Sequence, residues 1–562
     1  MLKWVIWAIG LSMLHLVGVA VPTATTAQDP AEVVVEHNVP AIMRDGIRLW
    51  ADIYRPKADG KYPVMLVRTP YDKTPAEPIA RLMAAHGYIT VVQDCRGRFA
   101  SEGSWYAFKN EGSDGYDSVE WAAALPDSDG RVVMWGGSYL AITQMLTAIT
   151  SPPHLAGITP WMVPSNFHEG VVYQGGAVEQ NVIDSWVAGT SADPVTHKPP
   201  ADLDSVDFYR DWRLHPDYDQ YWKLLTIDSR PEKILVPGLY LSGWYDVFIS
   251  GALRDYESVS KHGNPAVRAK QRLIIGPWTH GMSSSKSGDI DFGPAATPDP
   301  TIAFRWYDYV LKGSSNEFST GKPVRIFVMG KNVWREEDDW PLARAKTTRF
   351  YLHSGGKANS ITGDGSLNFT APKKEAEDQF VYDPANPVPT EGGGLCCGPK
   401  PEAGAFDQRP NEQRPDVLVY TSEPFKSDFE VTGDVQVELY TRSSAMDTDL
   451  TVKLIDVRLD GYAQNLTDGI LRLRYRNSME TPELLKPGEV YKVTVDAGPT
   501  SNVFLQGHRL RIEVSSSNNP RFDANPNTGA YSDREKNPIK ATNVIVHDSE
   551  HPSAILLPVI PR

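Results

Sequence analysis

The chain has 562 residues, too many for one hydrophobic core, so two or three domains are expected. Its net charge is −14 and no stretch forms a basic patch, which disfavours nucleic acid and anionic membrane surfaces as partners and points to a small-molecule or peptide substrate. Aromatic residues make up 10% of the chain, which argues against disorder, and three cysteines are too few for a disulfide framework.

Met1-Leu2-Lys3 and the apolar run Trp4 to Val21 read as a secretory leader. Small residues around Ala24 and Ala27 offer a cleavage site, so residues 1–27 are assigned as signal peptide and the mature protein as secreted or periplasmic; an uncleaved anchor is the alternative. After the leader no apolar stretch is long enough to cross a bilayer. Val33 to Tyr54 reads as two paired strands joined at Arg44-Asp45-Gly46, an Asp-Gly hairpin signal. Strand and helix then alternate up to about Pro164.

Within that stretch Gly130 to Trp135 is a short buried strand and Tyr139 to Leu146 has helical spacing. Between them Gly136-Gly137-Ser138-Tyr139 places a serine at a strand-to-helix turn, which thrusts the hydroxyl above the sheet beside the first amides of a helix. The pattern Gly-x-Ser-x-x-Ala departs from the strict Gly-x-Ser-x-Gly, and a glycine-serine loop is the bland alternative. From residue 165 to 232 aromatics mingle with acids and strands vanish, the texture of a helical cap inserted over the nucleophile.

The sheet resumes at Ile234. Ile234 to Tyr245 is a buried run ending on Asp246, Ser250 to Val259 reads as a crossover helix, and Gln271 to Ile275 is a strand that breaks at Gly276-Pro277 and presents His280. Alone, Asp246 could cap a helix and His280 could be a surface residue. Ser, then acid, then His, each at a strand end, is the order that an α/β-hydrolase triad requires, so Ser138, Asp246 and His280 are assigned as catalytic. The backbone N–H of Tyr139 is one candidate for the oxyanion hole. The strand Tyr62 to Thr69 leads to Tyr71, and since no His-Gly-Gly-Gly run follows it, the phenol of Tyr71 is the second candidate; a tyrosine packed under the loop is its alternative.

From Pro323 onward short runs alternate with period 2, as in Asp434 to Tyr440 and Arg509 to Val514, which argues for an antiparallel sandwich of jelly-roll type. A Pro- and Gly-rich loop from Asp383 to Pro415 interrupts it and carries the adjacent Cys396 and Cys397, either a vicinal disulfide or two free thiols. Cys95 ends a buried strand and reads as inert core. Asp447 and Asp449 lack a histidine or third acid nearby, so strand-end turn chemistry is preferred to a metal site. The layout is an α/β-hydrolase domain over residues 32–164 and 233–320, a helical cap over 165–232, and a C-terminal all-β jelly-roll domain over 321–562.

These segments resemble the cocaine-esterase-like (CocE/NonD) serine hydrolases, relatives of the Xaa-Pro dipeptidyl peptidases and the α-amino-acid ester hydrolases. Gly136 to Tyr139, Gly243-Trp244-Tyr245-Asp246 and Gly276 to Gly281 match the family's triad motifs in order, and Arg68-Thr69-Pro70-Tyr71 matches its oxyanion tyrosine motif. Gln93 to Arg98, Trp306 to Gly313 and Val328 to Trp334 extend the likeness over nearly all of the chain after the leader. The resemblance implies a galactose-binding-like C-terminal domain and an enzyme that acts through an acyl-serine on small ester, amide or short peptide substrates, with no metal and no cofactor.

Three substrate classes compete. The family's amino-acid esterases, including β-lactam acylases, carry two acids just after the triad acid; here those positions are the apolar Phe248 and Ile249. A dipeptidyl peptidase needs an anionic anchor for the free N-terminus, which Glu169 or Asp184 could supply, and usually an N-terminal helical domain for which little chain precedes the first strand. An esterase or acylase with an apolar pocket suits Phe248, Trp161 and Trp186, each of which could equally be core. A glycan- or polymer-binding protein with a decayed hydrolase half is the non-enzymatic alternative, against which the complete triad argues. Oligomeric state is left open.

Overall fold

A computed structural model describes residues 32–561 other than 165, 194, 195, 228, 229, 531–534 and 536, so the leader assigned to residues 1–27 lies outside the described residues. β1 (Val33–Ile42) and β2 (Arg48–Pro56) pair antiparallel across the Asp-Gly turn. Then come β3 (Tyr62–Thr69), α1 (Glu77–Ala85), β4 (Ile89–Asp94), α2 (Glu111–Ala123), β5 (Ser128–Gly137), α3 (Tyr139–Ala148) and β6 (Leu155–Trp161). β3, β4 and β6 are short runs with nearly every residue buried, and β5 is buried over most of its length, as strands covered on both faces must be. β7 (Leu239–Tyr245), α6 (Ile249–His262, after the cap helices below), β8 (Arg272–Thr279) and α7 (Ile302–Lys312) repeat the unit.

The ten strands of this sheet run in the order β1-β2-β4-β3-β5-β6-β7-β8-β9-β10, where β9 (Val324–Val328) and β10 (Val333–Glu337) complete it. Pairing from β4 through β3, β5, β6, β7 and β8 to β9 is parallel. The strand C-termini therefore line one edge, and the order reverses between β3 and β5, where a crevice opens in such sheets. α3 crosses the middle of the sheet with all ten residues buried.

β9 continues the hydrolase sheet beside β8, and β10 turns back antiparallel as its edge, so these two strands, inside the span assigned to the β domain, pair with the hydrolase sheet. β9 is the buried apolar run that a parallel neighbour demands.

Between β6 and β7 the chain forms α4 (Gln180–Thr190), α5 (Asp207–Leu214) and shorter helical turns. The cap is not purely helical: Tyr173–Gln174 and Ala177–Val178 form a small hairpin around Gly175 and Gly176. α4 and α5 face the nucleophile with Trp186 and Trp212, whose rings stack 6.2 Å apart.

The C-terminal part is all-β: a second, eleven-stranded sheet, mostly antiparallel. Its strands include β11 (Asp378–Tyr382), β12 (Leu418–Ser422), β13 (Phe429–Ser443), β14 (Asp449–Val457), β15 (Ala463–Arg472) and β16 (Tyr491–Phe504). β13 alternates buried and exposed residues over most of its length, as its period-2 sequence requires. Asp449 pairs with Arg472 at 3.0 Å and Asp447 with Arg474 at 2.8 Å, so both carboxylates are spent on buried arginines. The loop between β11 and β12 leaves this domain and reaches the hydrolase sheet, where Gly394 lies against the Asp246 carbonyl. No helix among the described residues is long and apolar enough to cross a membrane.

Candidate active site

The site begins with backbone strain. Ser138, between β5 and α3, has φ 58° and ψ −127°, a conformation that non-glycine residues rarely adopt. It is held there by its own amide, which donates to the Trp161 carbonyl at 2.9 Å, and by Gly136, where a Cβ would fall 2.6 Å from that of Leu140. Strand and helix can approach this closely only over a bare Cα. Tyr139 follows as the first residue of α3, where an amide has no intrahelical acceptor and is left to bind an anion.

Below the turn a buried network fixes Tyr139. Its hydroxyl donates to Glu111 at 3.0 Å and accepts from the Phe108 amide at 3.0 Å. Glu111 in turn pairs at 2.8 Å with Arg68, which is fully buried. The sequence offers no local signal for this pairing, since β3, α2 and α3 meet only in the folded chain.

Asp246 follows β7 and is buried. Its Oδ1 accepts from His280 Nδ1 at 2.8 Å and from the Phe248 amide at 3.2 Å, and its Oδ2 accepts from Ser242 Oγ at 2.6 Å. With Nδ1 donating to this carboxylate, Nε2 is the ring nitrogen left to accept a proton. The Phe248 ring meets the His280 ring edge-on at 5.2 Å, which limits its tilt. Ser242 was not foreseen, because its contact depends on the turn that brings position 246 back towards the strand.

Tyr71 comes from the loop after β3. Its hydroxyl accepts a 2.9 Å hydrogen bond from Trp186 Nε1 and also bonds to Ser138. Burial pushes its pKa up to about 12, against the smaller opposing pull of those two bonds, so the phenol stays protonated and remains a donor. Arg98 Nε donates to the Pro70 carbonyl at 2.8 Å and so pins the loop that carries Tyr71.

Above Ser138 lies a small cavity of about 30 Å³ lined by Phe108, Ile142, Val182, Trp186, Trp212 and Phe248, with Cys397 at its wall. Phe248 and Trp186 both line this cavity. Trp161 does not line it: its ring packs edge-on against Trp135 at 5.4 Å in a core on the other side of the sheet, and only its carbonyl serves the site. Side chains alternate faces along a strand, and β6 turns this one away. A second, polar space of about 270 Å³ lies behind Phe248, between the segment after β6, α6 and the β domain, with Glu169, Arg254, Asp468, Asp496 and Arg521 on its walls. Asp184, the other proposed amine anchor, accepts instead from Tyr209 at 2.8 Å.

A strained serine at a strand-to-helix turn, above a parallel sheet with a histidine and a buried acid at later strand ends, defines the α/β-hydrolase class. Residues 45–282 match the X-Pro dipeptidyl-peptidase (S15 family), and residues 316–556 match the X-Pro dipeptidyl-peptidase C-terminal non-catalytic domain. The chain is 38% identical to the cocaine esterase of a Rhodococcus species, over 94% of this chain and 99% of that protein. Among solved structures it resembles an aminopeptidase from a Thaumarchaeota archaeon (TM-score 0.82, 25% identity, 97% of this chain and 99% of that one). An α-amino acid ester hydrolase has the same fold (TM-score 0.81, 24% identity, 96% and 99% covered). The chain belongs to the cocaine-esterase-like family of serine hydrolases and is an enzyme of esterase or peptidase type.

Proposed function

We propose that this enzyme is a carboxylesterase for neutral esters with a flat, apolar acyl group, and that Ser138, His280 and Asp246 carry its chemistry. The observation that bears most weight is the aromatic cavity directly over Ser138, with Phe248 where an amine-binding acid would have to stand. His280 Nε2 takes the Ser138 proton as Oγ attacks the ester carbonyl, and Asp246 stabilises the imidazolium that forms. The Tyr139 amide and the Tyr71 hydroxyl donate to the oxyanion. Collapse of the tetrahedral species expels the alkoxide, which takes the proton from His280. Water then repeats the cycle on the acyl-serine and releases the acid. The name of the Rhodococcus relative, an esterase, agrees with this class.

Tyr71→Phe is expected to lower kcat by roughly 100- to 1000-fold with little change in KM, as loss of one oxyanion donor does. Steady-state kinetics on an aryl ester checks this; an equal rise in KM would instead mean that the phenol binds ground-state substrate.

The substrate class is tested by parallel assays on p-nitrophenyl acetate, p-nitrophenyl benzoate, glycyl-prolyl-p-nitroanilide and phenylglycine methyl ester. Turnover of the first two alone supports the neutral esterase. A second reading, an exopeptidase or amino-acid ester hydrolase, is favoured by Glu169, whose Oε2 is buried beside the polar space with no hydrogen bond and only a 4.0 Å approach to His168. Turnover of the two amine-bearing substrates would establish it.

We also read the C-terminal sheet as a jelly roll of the galactose-binding-like kind, on the strength of its long antiparallel pairs. Residues 165–232 are taken as the cap, and the Met1–Val21 run supports export of the mature enzyme.

A further inference from the structure

Cys396 and Cys397 are joined in a disulfide, and Cys397 lines the cavity over Ser138 although it belongs to the loop between β11 and β12 of the all-β domain. The loop is clamped where it enters the site. Its neck closes by paired backbone bonds between Gly393 and Gly404, at 2.8 and 2.9 Å. Gly394 lies so close to the Asp246 carbonyl that a Cβ there would sit 3.2 Å from it, and Gly398 is pressed against Ser185 of α4, with a Cβ at 2.7 Å from Oγ. Asn181 Nδ2, also on α4, donates to the Lys400 carbonyl at 3.2 Å. The cysteine pair is therefore held between the turn that carries Asp246 and the helix that carries Trp186, and Cys397 itself has φ +72°.

A cross-link between neighbours closes almost no chain, so it removes little entropy from the unfolded state and contributes little to global stability. What it does is local. It ties two side chains and the peptide between them into one small ring, and presents polarisable sulfur to a cavity whose other walls are aromatic and aliphatic.

We propose that the Cys396–Cys397 disulfide is a specificity element of the active site: a rigid sulfur wall, supplied by the all-β domain, against which the aromatic ring of the acyl group packs. The inference rests on the aryl-ester reading above. The wall acts on acyl groups long enough to reach it from Ser138, through KM rather than through the chemical step.

The test compares wild type, Cys396→Ser/Cys397→Ser and Cys397→Ala on p-nitrophenyl benzoate and p-nitrophenyl acetate, with melting temperature and fluorophosphonate labelling as readouts that follow the fold and the nucleophile. The benzoate KM should rise about five-fold in both variants, the size of a lost sulfur–aromatic contact, while acetate kinetics, melting and labelling stay near wild type. Wild type opened by a water-soluble phosphine, which leaves as its oxide and yields two thiols, should behave as the double variant does; this arm stands if a variant fails to fold. Thiol titration of the denatured wild type should find one thiol, Cys95, and after the phosphine three. Three thiols at the outset, equal losses on both esters, or no loss on benzoate would each overturn the proposal. Benzoate that the wild type does not turn over, with acetate turned over and labelling intact, would sink the aryl-ester reading itself. Labelling that survives Ser138→Ala would sink the nucleophile assignment.

Discussion

Ser138→Ala should abolish labelling by a fluorophosphonate and reduce ester hydrolysis by about a million-fold, the scale on which serine hydrolases lose activity with their nucleophile. Alanine keeps the Cβ, so the strained φ of 58° and the Trp161 contact survive, and melting should stay within a few degrees of wild type. The oxyanion donors and the cavity remain, so a residual rate above that of free solution is expected. Intact-mass spectrometry after labelling reads the outcome directly. An adduct that persists at full stoichiometry would mean that another residue attacks.

Asp246→Asn should cost on the order of 10,000-fold in kcat, because the imidazolium formed in the transition state would lose its anionic partner in a buried site. The native carboxylate receives hydrogen bonds from His280, Phe248 and Ser242 and needs to donate none. An asparagine must turn its NH₂ towards one of these donors: towards Ser242, whose hydroxyl can rotate to accept, or towards His280, which fixes the wrong tautomer. Either way the charge is gone. The double variant Ser138→Ala/Asp246→Asn should be no slower than Ser138→Ala alone, since the acid acts only through a nucleophile that is no longer there. Multiplied losses would show that Asp246 supports the fold rather than the reaction.

Much of this site could be read from the chain, for one topological reason. Right-handed crossovers bring the C-terminal ends of successive parallel strands to one edge of the sheet, so a serine after β5, an acid after β7 and a histidine after β8 are neighbours however far apart they lie in sequence. The Asp-Gly hairpin, the strand-to-helix turn at Ser138 and the crossover helix α6 are likewise local patterns, set by turn chemistry and hydrophobic period. Tyr71 was legible for the same reason: the loop after β3 opens at the same edge.

What was not legible depends on contacts between distant segments. Trp161 was read as pocket lining and belongs to the core on the opposite face, because one step along a strand exchanges the two sides and the sequence of β6 is apolar on both. That β9 and β10 join the hydrolase sheet was not legible either, because strand character does not say which sheet a strand joins. Ser242, Arg98 and the Glu111–Arg68 pair hold the reacting groups in place, yet no motif marks them.

The sequence by itself therefore determined the hydrolase class and the polypeptide's division into an α/β part and an all-β part, since these rest on periodicity, turn residues and strand-end position. Only the tertiary structure decided which side chains wall the cavity and what orients them. Trp186 from the cap donates to Tyr71, and Cys397 from the β domain closes over Ser138. Those contacts join segments separated by more than a hundred residues, and packing between domains, rather than any local pattern, selects them.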